Sequence, residues 1–160
     1  AKEEAFTSAP LANYRYIHLA THGTFNRHKP AWSYLLFSAP QDTAPALAKD
    51  GLLTAAECYN LKLDSDLVAL SACETARGEL KPGEGLLGLT RGLLYSGARS
   101  VLVSQWKVPD EATSRLMQAF YQNLLSGMSK PQALQAAKET LRQSGFAHPY
   151  FWGAFVLIGG

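Results

Sequence analysis

A thiol and an imidazole stand at matched places in this chain. Residues 17–23, IHLATHG, carry His22 just past a short apolar stretch, and residues 67–78, LVALSACETARG, carry Cys73 in the same way. Each stretch has the composition of a strand buried in a parallel sheet, and each breaks into small residues before its reactive side chain. In open parallel sheets, ligands and catalytic groups collect beyond the carboxyl ends of the strands. A thiolate can attack a carbonyl carbon while an imidazole protonates the leaving amine, so the pair points to a cysteine-dependent hydrolase. The developing oxyanion needs two aimed donors. The backbone amides of Gly23 and Cys73 are the natural pair, and glycine at 23 lets a substrate come close.

A cysteine at a strand end is, taken alone, more often a small buried hydrophobe than a nucleophile. Here Cys73 lies past the apolar run, its neighbours Ala72 and 75–78 are small or turn-forming, and His22 precedes it by 51 residues at the corresponding place. The other histidines read differently. His18 lies inside the strand, as a packed or hydrogen-bonded core residue or as one that orients His22. His28, among Asn26, Arg27 and Lys29, reads as solvated, and His148 before Pro149 as structural. Two cysteines and four histidines without close paired spacing make a weak zinc site, and no metal or other cofactor is expected. Gly78 and Gly83 are spaced as in a P-loop, but Glu84 follows where that loop needs lysine. Gly83, Gly85 and Gly88 match a dinucleotide fingerprint without the strand it requires directly in front, so the expected role is a turn and a close helix-packing face. There is no G-x-S-x-G elbow for a serine hydrolase.

The elements that must hold these residues follow from periodicity and punctuation. Residues 2–13 read as a helix ending near Pro10, and 14–20 as the first strand. Residues 26–49, interrupted by Pro30, Pro40 and Pro45 around the apolar island 34–37, read as a long loop with one edge strand that walls the cleft. Thr54 and Glu57 form a capping box that starts a short helix carrying Cys58 inward. Residues 67–71 are the second strand, and 74–83 are turn-rich. Leu86, Leu89 and Leu93 recur at helical spacing over 85–96, with Gly97 as C-cap. Residues 99–104 are the third strand. A helix follows from Asp110 and Glu111 to Gly127, another from Ser129 and Pro131 to Gly145, and a last strand spans 154–158. Strands alternating with helices predict an α/β fold with a parallel sheet and right-handed crossovers.

The totals bound the function classes. A chain of 160 residues with 47% hydrophobic content can build one domain with a real core. Fifteen basic and thirteen acidic residues, spread without a block, give a net charge of +2 and argue for neither a nucleic-acid nor a membrane surface. No apolar run approaches the ~18 residues of a membrane span, and the first residues lack the layout of a signal peptide. A cytoplasmic protein with two free thiols, Cys58 and Cys73, is the expectation. The start at Ala1 reads as a piece of a longer protein.

The segments HLATHG, LSACETARG, GEGLLGLTRGLLYSGARSVLVSQWKVPDEAT, LMQAFYQNLLSG and HPYFWGAFVLIGG together resemble a CHAT domain. This caspase-like domain, often fused to tetratricopeptide repeats, groups with the caspase and separase cysteine peptidases. The resemblance runs from about residue 14 to the end, and the separation of His22 and Cys73 is close to the roughly 50 residues of a caspase. It implies a caspase-like three-layer sandwich with a mostly parallel sheet flanked by helices, with the first strands missing and one sheet edge exposed. It makes residues 1–160 a fragment of one CHAT domain, His22 and Cys73 the catalytic pair, and Gly23 and Cys73 the oxyanion hole. The implied partners are a protein or peptide substrate and a tetratricopeptide-repeat domain in cis or a regulatory partner. Cys73 is flanked as Ser-Ala-Cys-Glu rather than Gln-Ala-Cys-Arg, and no long linker follows it, so aspartate specificity and maturation by linker cleavage are not implied. In this resemblance Ser104, Trp106 and the loop to Asp110 border the substrate pocket. Asp110 then either holds a basic P1 side chain or simply caps the helix beginning near Glu111. A cysteine endopeptidase is thus the leading expectation. The alternatives are a catalytically silent scaffold and a nucleotide-binding α/β domain.

Overall fold

Apolar runs too short for helices and too continuous for surface strands form the centre of this fold. The computed structural model describes residues 2–24, 26, 29–38, 50–71, 73–74 and 84–160, with backbone alone at 73, 74 and 84–86. From the N-terminus come α1 (Glu3–Thr7), a 3-10 turn (Leu11–Asn13), β1 (Tyr16–Leu19), β2 (His22–Thr24), a second 3-10 turn (Pro30–Trp32) and β3 (Tyr34–Leu36). Next are β4 (Leu52–Thr54), α2 (Ala55–Cys58), β5 (Leu67–Leu70), β6 (Cys73–Glu74), α3 (Glu84–Tyr95) and β7 (Ser100–Ser104). The chain continues with α4 (Asp110–Leu125), α5 (Lys130–Gln143), α6 (Pro149–Trp152) and β8 (Phe155–Gly159).

The main sheet has the order β1-β5-β7-β8. Its first three strands are parallel, and β8 runs antiparallel to β7. Crossovers to parallel strands are the expectation from sequence, and β8 departs from it for a topological reason. Two long helices separate it from β7: α4 brings the chain back and α5 carries it forward again, so the next strand runs reversed.

Successive residues of β5 serve opposite faces. Val68 and Leu70, with Ile17, Leu19, Val101 and Val103, pack against Leu89 and Leu93 of α3 and Cys58 of α2. Leu67 and Ala69, with Leu102, pack against Leu116 and Phe120 of α4 and Leu134, Ala137 and Leu141 of α5. Burial on both faces is why the run reads as unbroken apolar sequence. The result is the three-layer, mostly parallel sandwich of a caspase-like fold, with β1 at one edge of the sheet.

Local signals act as their chemistry requires. Thr54 and Glu57 form both bonds of the capping box, and Cys58 is fully buried. Ser129 and Gln132 cap α5 in the same way. Gly97, at φ 112°, ends α3. The N-terminal segment is not one helix: α1 stops at Thr7 and, past Pro10, which has no N–H to donate, the chain resumes as a 3-10 turn.

The larger departure is a second sheet, β4-β3-β2-β6, in which β3 is an inner strand rather than the expected edge strand. β3 pairs antiparallel with β2 and β4, and β2 pairs parallel with β6. Its strands have two or three residues, too few to display alternation. His28, Pro40, Pro45, Ala72 and the turn-rich residues 75–83, with Gly78 and Gly83, lie outside the described residues.

Helix α3 rests unusually close to its neighbours. A Cβ at Gly88 would run into the Pro30 carbonyl oxygen, and one at Gly92 would sit 2.9 Å from both the Ala55 oxygen and the Cys58 Cβ. Gly88 is therefore occupied by packing, the role expected for it from sequence. Gly92→Ala should cost about 1–3 kcal/mol through forced displacement of α2 from α3. A urea titration should show a lower midpoint for that variant, whereas Leu125→Ala at an exposed position should stay within about 0.5 kcal/mol of the parent.

Candidate functional site

The site starts from strand register. Along β1 and β5 the paired residues are Tyr16 with Leu67 through Leu19 with Leu70, a constant offset of 51. Both chains then leave the main sheet and pair again in the small one, as β2 and β6, with His22 opposite Cys73 and Gly23 opposite Glu74. The offset is still 51, because each connection is two residues long. Neighbouring strands lie about 4.8 Å apart, so the backbones of His22 and Cys73 are side by side. His22 is exposed and Gly23 is buried, in a strand with neighbours on both edges.

Two side-chain bonds fix the point where the chains change sheets. The Thr21 hydroxyl donates to the Leu36 carbonyl, tying the first connection to β3. His18 Nε2 and Ser71 Oγ lie 2.9 Å apart, tying β1 to the residue two before Cys73. His18 is thus hydrogen-bonded, one of the roles expected for it, but it is not in the core. It lies on an edge strand, on the face opposite Ile17 and Leu19, and is exposed to a cleft. The protein around the ring still removes enough solvent to lower its pKa below the ordinary 6.5, so the imidazole is uncharged at neutral pH.

That cleft has a volume of about 610 Å³ and lies between the end of β1 and one face of α4. His18, Ala20, Thr21, His22 and Ser71 form one wall. Asp110, Thr113, Ser114, Met117, Gln118 and Tyr121 form the other. Their spacing of three, four, seven, eight and eleven residues from Asp110 is a single helical stripe. That signal is present in the sequence, but there Met117 and Tyr121 read only as part of an apolar core face. Burial also pushes the Tyr121 phenol up to about 12, so it too is uncharged.

Asp110 is brought to the same cleft as His22. It occupies the first turn of α4, where a carboxylate complements the helix dipole, but its side chain makes no capping bond because Pro109 holds the cap position. Ser104 and Trp106 are not brought there. Ser104 is buried at the end of β7, and the Trp106 indole donates to the Tyr150 carbonyl at 2.9 Å. Tyr150 in turn donates its hydroxyl to the Lys107 carbonyl at 2.6 Å, so the loop before α4 is clamped to α6. Among the described residues no group of three His, Cys, Asp or Glu side chains is placed to hold a metal ion. Nor is any of the described helices long and apolar enough to cross a membrane.

Comparison with known proteins gives matching results. A family profile for the CHAT domain matches residues 1–160. Tetratricopeptide repeat protein 28 of Mus musculus is 41% identical over 109 residues, 68% of this chain, and the Homo sapiens protein of the same name is 39% identical over 109. In both, the matched region is 4% of the relative, so the chain corresponds to a small part of those proteins.

The lowered pKa of His18 has a consequence for stability. The unfolded chain binds a proton here more readily than the native protein, so this stability is present above about pH 6.5 and is lost as pH falls through the folded value. His18→Gln removes the titration. The stability of the parent relative to that variant, from urea midpoints, should decline between about pH 7.5 and about pH 5. A constant difference over that range would refute the desolvated, uncharged imidazole.

Proposed function

This chain belongs to the CHAT domain family, a caspase-like family, and on that premise we propose that it is a piece of a cysteine endopeptidase that hydrolyses peptide bonds in protein substrates. The observation that carries the reading is the shared offset of 51, which pairs His22 with Cys73 immediately beyond the carboxyl ends of β1 and β5. The Cys73 thiolate attacks the scissile carbonyl, and His22 takes up the thiol proton and passes it to the leaving amine. The resulting thioester is hydrolysed by water with His22 as base. The amides of Gly23 and Cys73 stabilise the oxyanion. Asp110, at the mouth of the cleft, attracts a basic side chain of the substrate. Residues 1–160 then act within one CHAT domain, and a tetratricopeptide-repeat segment in cis or a separate partner regulates it. Such a segment is named in the relatives that the chain matches.

A catalytically silent scaffold keeps the same fold and the same two residues. A nucleotide-binding domain has less support, because Gly88 of its fingerprint is filled by the Pro30 carbonyl.

Cleavage of a diverse peptide library, read by mass spectrometry in the longest natural context of the chain, tests the reading. Cuts should appear with the intact protein and vanish with Cys73→Ala. His22→Ala should lower kcat/KM by about 10²–10⁴, and Asp110→Asn should weaken any preference for Arg or Lys. Identical products from intact protein and Cys73→Ala would leave the scaffold. Thiol reactivity gives a second check. Cys58 is buried and its pKa is pushed up to about 12, so iodoacetamide at neutral pH should modify Cys73 well before Cys58. Equal or slower labelling of Cys73 would contradict a poised nucleophile.

A further inference from the structure

The cleft is larger than one basic side chain at Asp110 needs. Its α4 wall runs from Asp110 to Tyr121, about 16 Å of helix rise. Its volume of about 610 Å³ is that of a site for a whole small ligand. Asp110 and His22 lie at the upper end, beyond the strand termini, because α4 begins there and descends along β1. The lower end is lined by Met117, Gln118 and Tyr121 on the helix and by His18 and Ser71 on the sheet.

The chemistry of the two ends differs. Among the described lining residues Asp110 is the only Asp, Glu, Lys or Arg. Other charges on the elements around the slot are engaged elsewhere: Arg115 pairs with Glu111 at 2.8 Å, and Arg15 pairs with Asp66 at 2.6 Å. The lower end thus offers a thioether, an aromatic ring, an imidazole, an amide and the Ser71 hydroxyl. A charged side chain placed there would lose its hydration without a counter-ion, whereas a large uncharged one would bury apolar surface against Met117 and the Tyr121 ring.

We infer that the slot below Asp110, floored by His18, Ser71, Met117 and Tyr121, is a specificity pocket for one large uncharged side chain of the substrate, aromatic or long and apolar. It is separate from the basic side chain held at the mouth. That the occupant belongs to a cleaved substrate rests on the peptidase reading, whereas the pocket and its preference for uncharged groups do not.

The experiment has two arms. The chain contains two methionines, Met117 in the slot and Met128 outside it, so methyl-labelled methionine gives one reporting and one control NMR signal. In the Cys73→Ala protein, p-cresol should shift the Met117 signal saturably and leave Met128 in place, and butylguanidinium should move neither. Gln118→Trp, at an exposed position that lines the slot, should weaken p-cresol binding by at least about tenfold. In the peptide library the same variant should turn the preference at one substrate position from large uncharged residues to glycine and alanine. Failure of p-cresol to perturb Met117, or equal binding of butylguanidinium, overturns the pocket even if peptides are cleaved. Saturable p-cresol binding without any cleavage leaves the pocket standing and removes the peptidase reading instead.

Discussion

The parallel register between two strands is the constraint on which the site depends. β1 and β5 are paired at an offset of 51, and both chains leave the main sheet at the same level and re-pair in the small one without gaining or losing a residue. An insertion of one residue in either two-residue connection would displace His22 from Cys73 by a full pleat and turn successive side chains to the opposite face. The bonds at this crossing, from Thr21 to Leu36 and between His18 and Ser71, therefore act at the point where slippage would be most damaging. The bond between His18 and Ser71 joins β1 to the connection after β5, the two segments that lead into the reactive residues.

The layers around the sheet hold that register from both sides. Beneath it, α3 follows the cysteine segment and is set close to the Pro30–Trp32 turn and to α2 by Gly88 and Gly92. The turn belongs to the chain that continues from His22, so this contact ties the segments after both reactive residues to one another. At the far end of the strands a different network operates. Asp66 accepts from Arg15 at 2.6 Å and from Arg99 at 3.0 Å, joining the starts of β1, β5 and β7. The two guanidinium groups are largely exposed, and the value of the pairs is in alignment more than in free energy.

Much of this was legible in the sequence, for reasons that differ by element. Residues 67–71 announced a buried strand because both faces of β5 are covered, and Thr54 with Glu57 announced a helix start because the capping box is a purely local interaction. The 51-residue separation was legible as a number, but its meaning as a sheet register was not, since it needs both connections to be of equal length. The small sheet was hidden by strands of two and three residues. For His18 the expected hydrogen bond is present, to Ser71, but its exposure could not be read, because a position inside an apolar run says nothing about whether the strand is at a sheet edge. Trp106 enters the substrate pocket only through the family resemblance; its indole is bonded to the Tyr150 carbonyl, 44 positions later, a partnership that no local pattern encodes.

That long-range clamp also explains how the cleft acquires its second wall. The loop after β7 has no regular structure of its own to aim α4, and its backbone is held instead by the terminal aromatic segment. Trp106 donates to the Tyr150 carbonyl, Tyr150 donates to the Lys107 carbonyl, and Gly153 lets the chain pass close to the Pro149 carbonyl, where a Cβ would sit 2.8 Å from its oxygen. Pro109 then starts α4 without a side-chain cap, and the stripe from Asp110 to Tyr121 faces β1. The reversal of β8 belongs to the same device, because the pair α4 and α5 that forces it brings the aromatic segment back to the end of the sheet where the loop needs it. The pairing of His22 with Cys73 is thus set by β1 and β5, while the surface presented beside it is set by residues 105–153. The two can vary independently, so a change in the helical stripe alters what fits the cleft without disturbing the strand register.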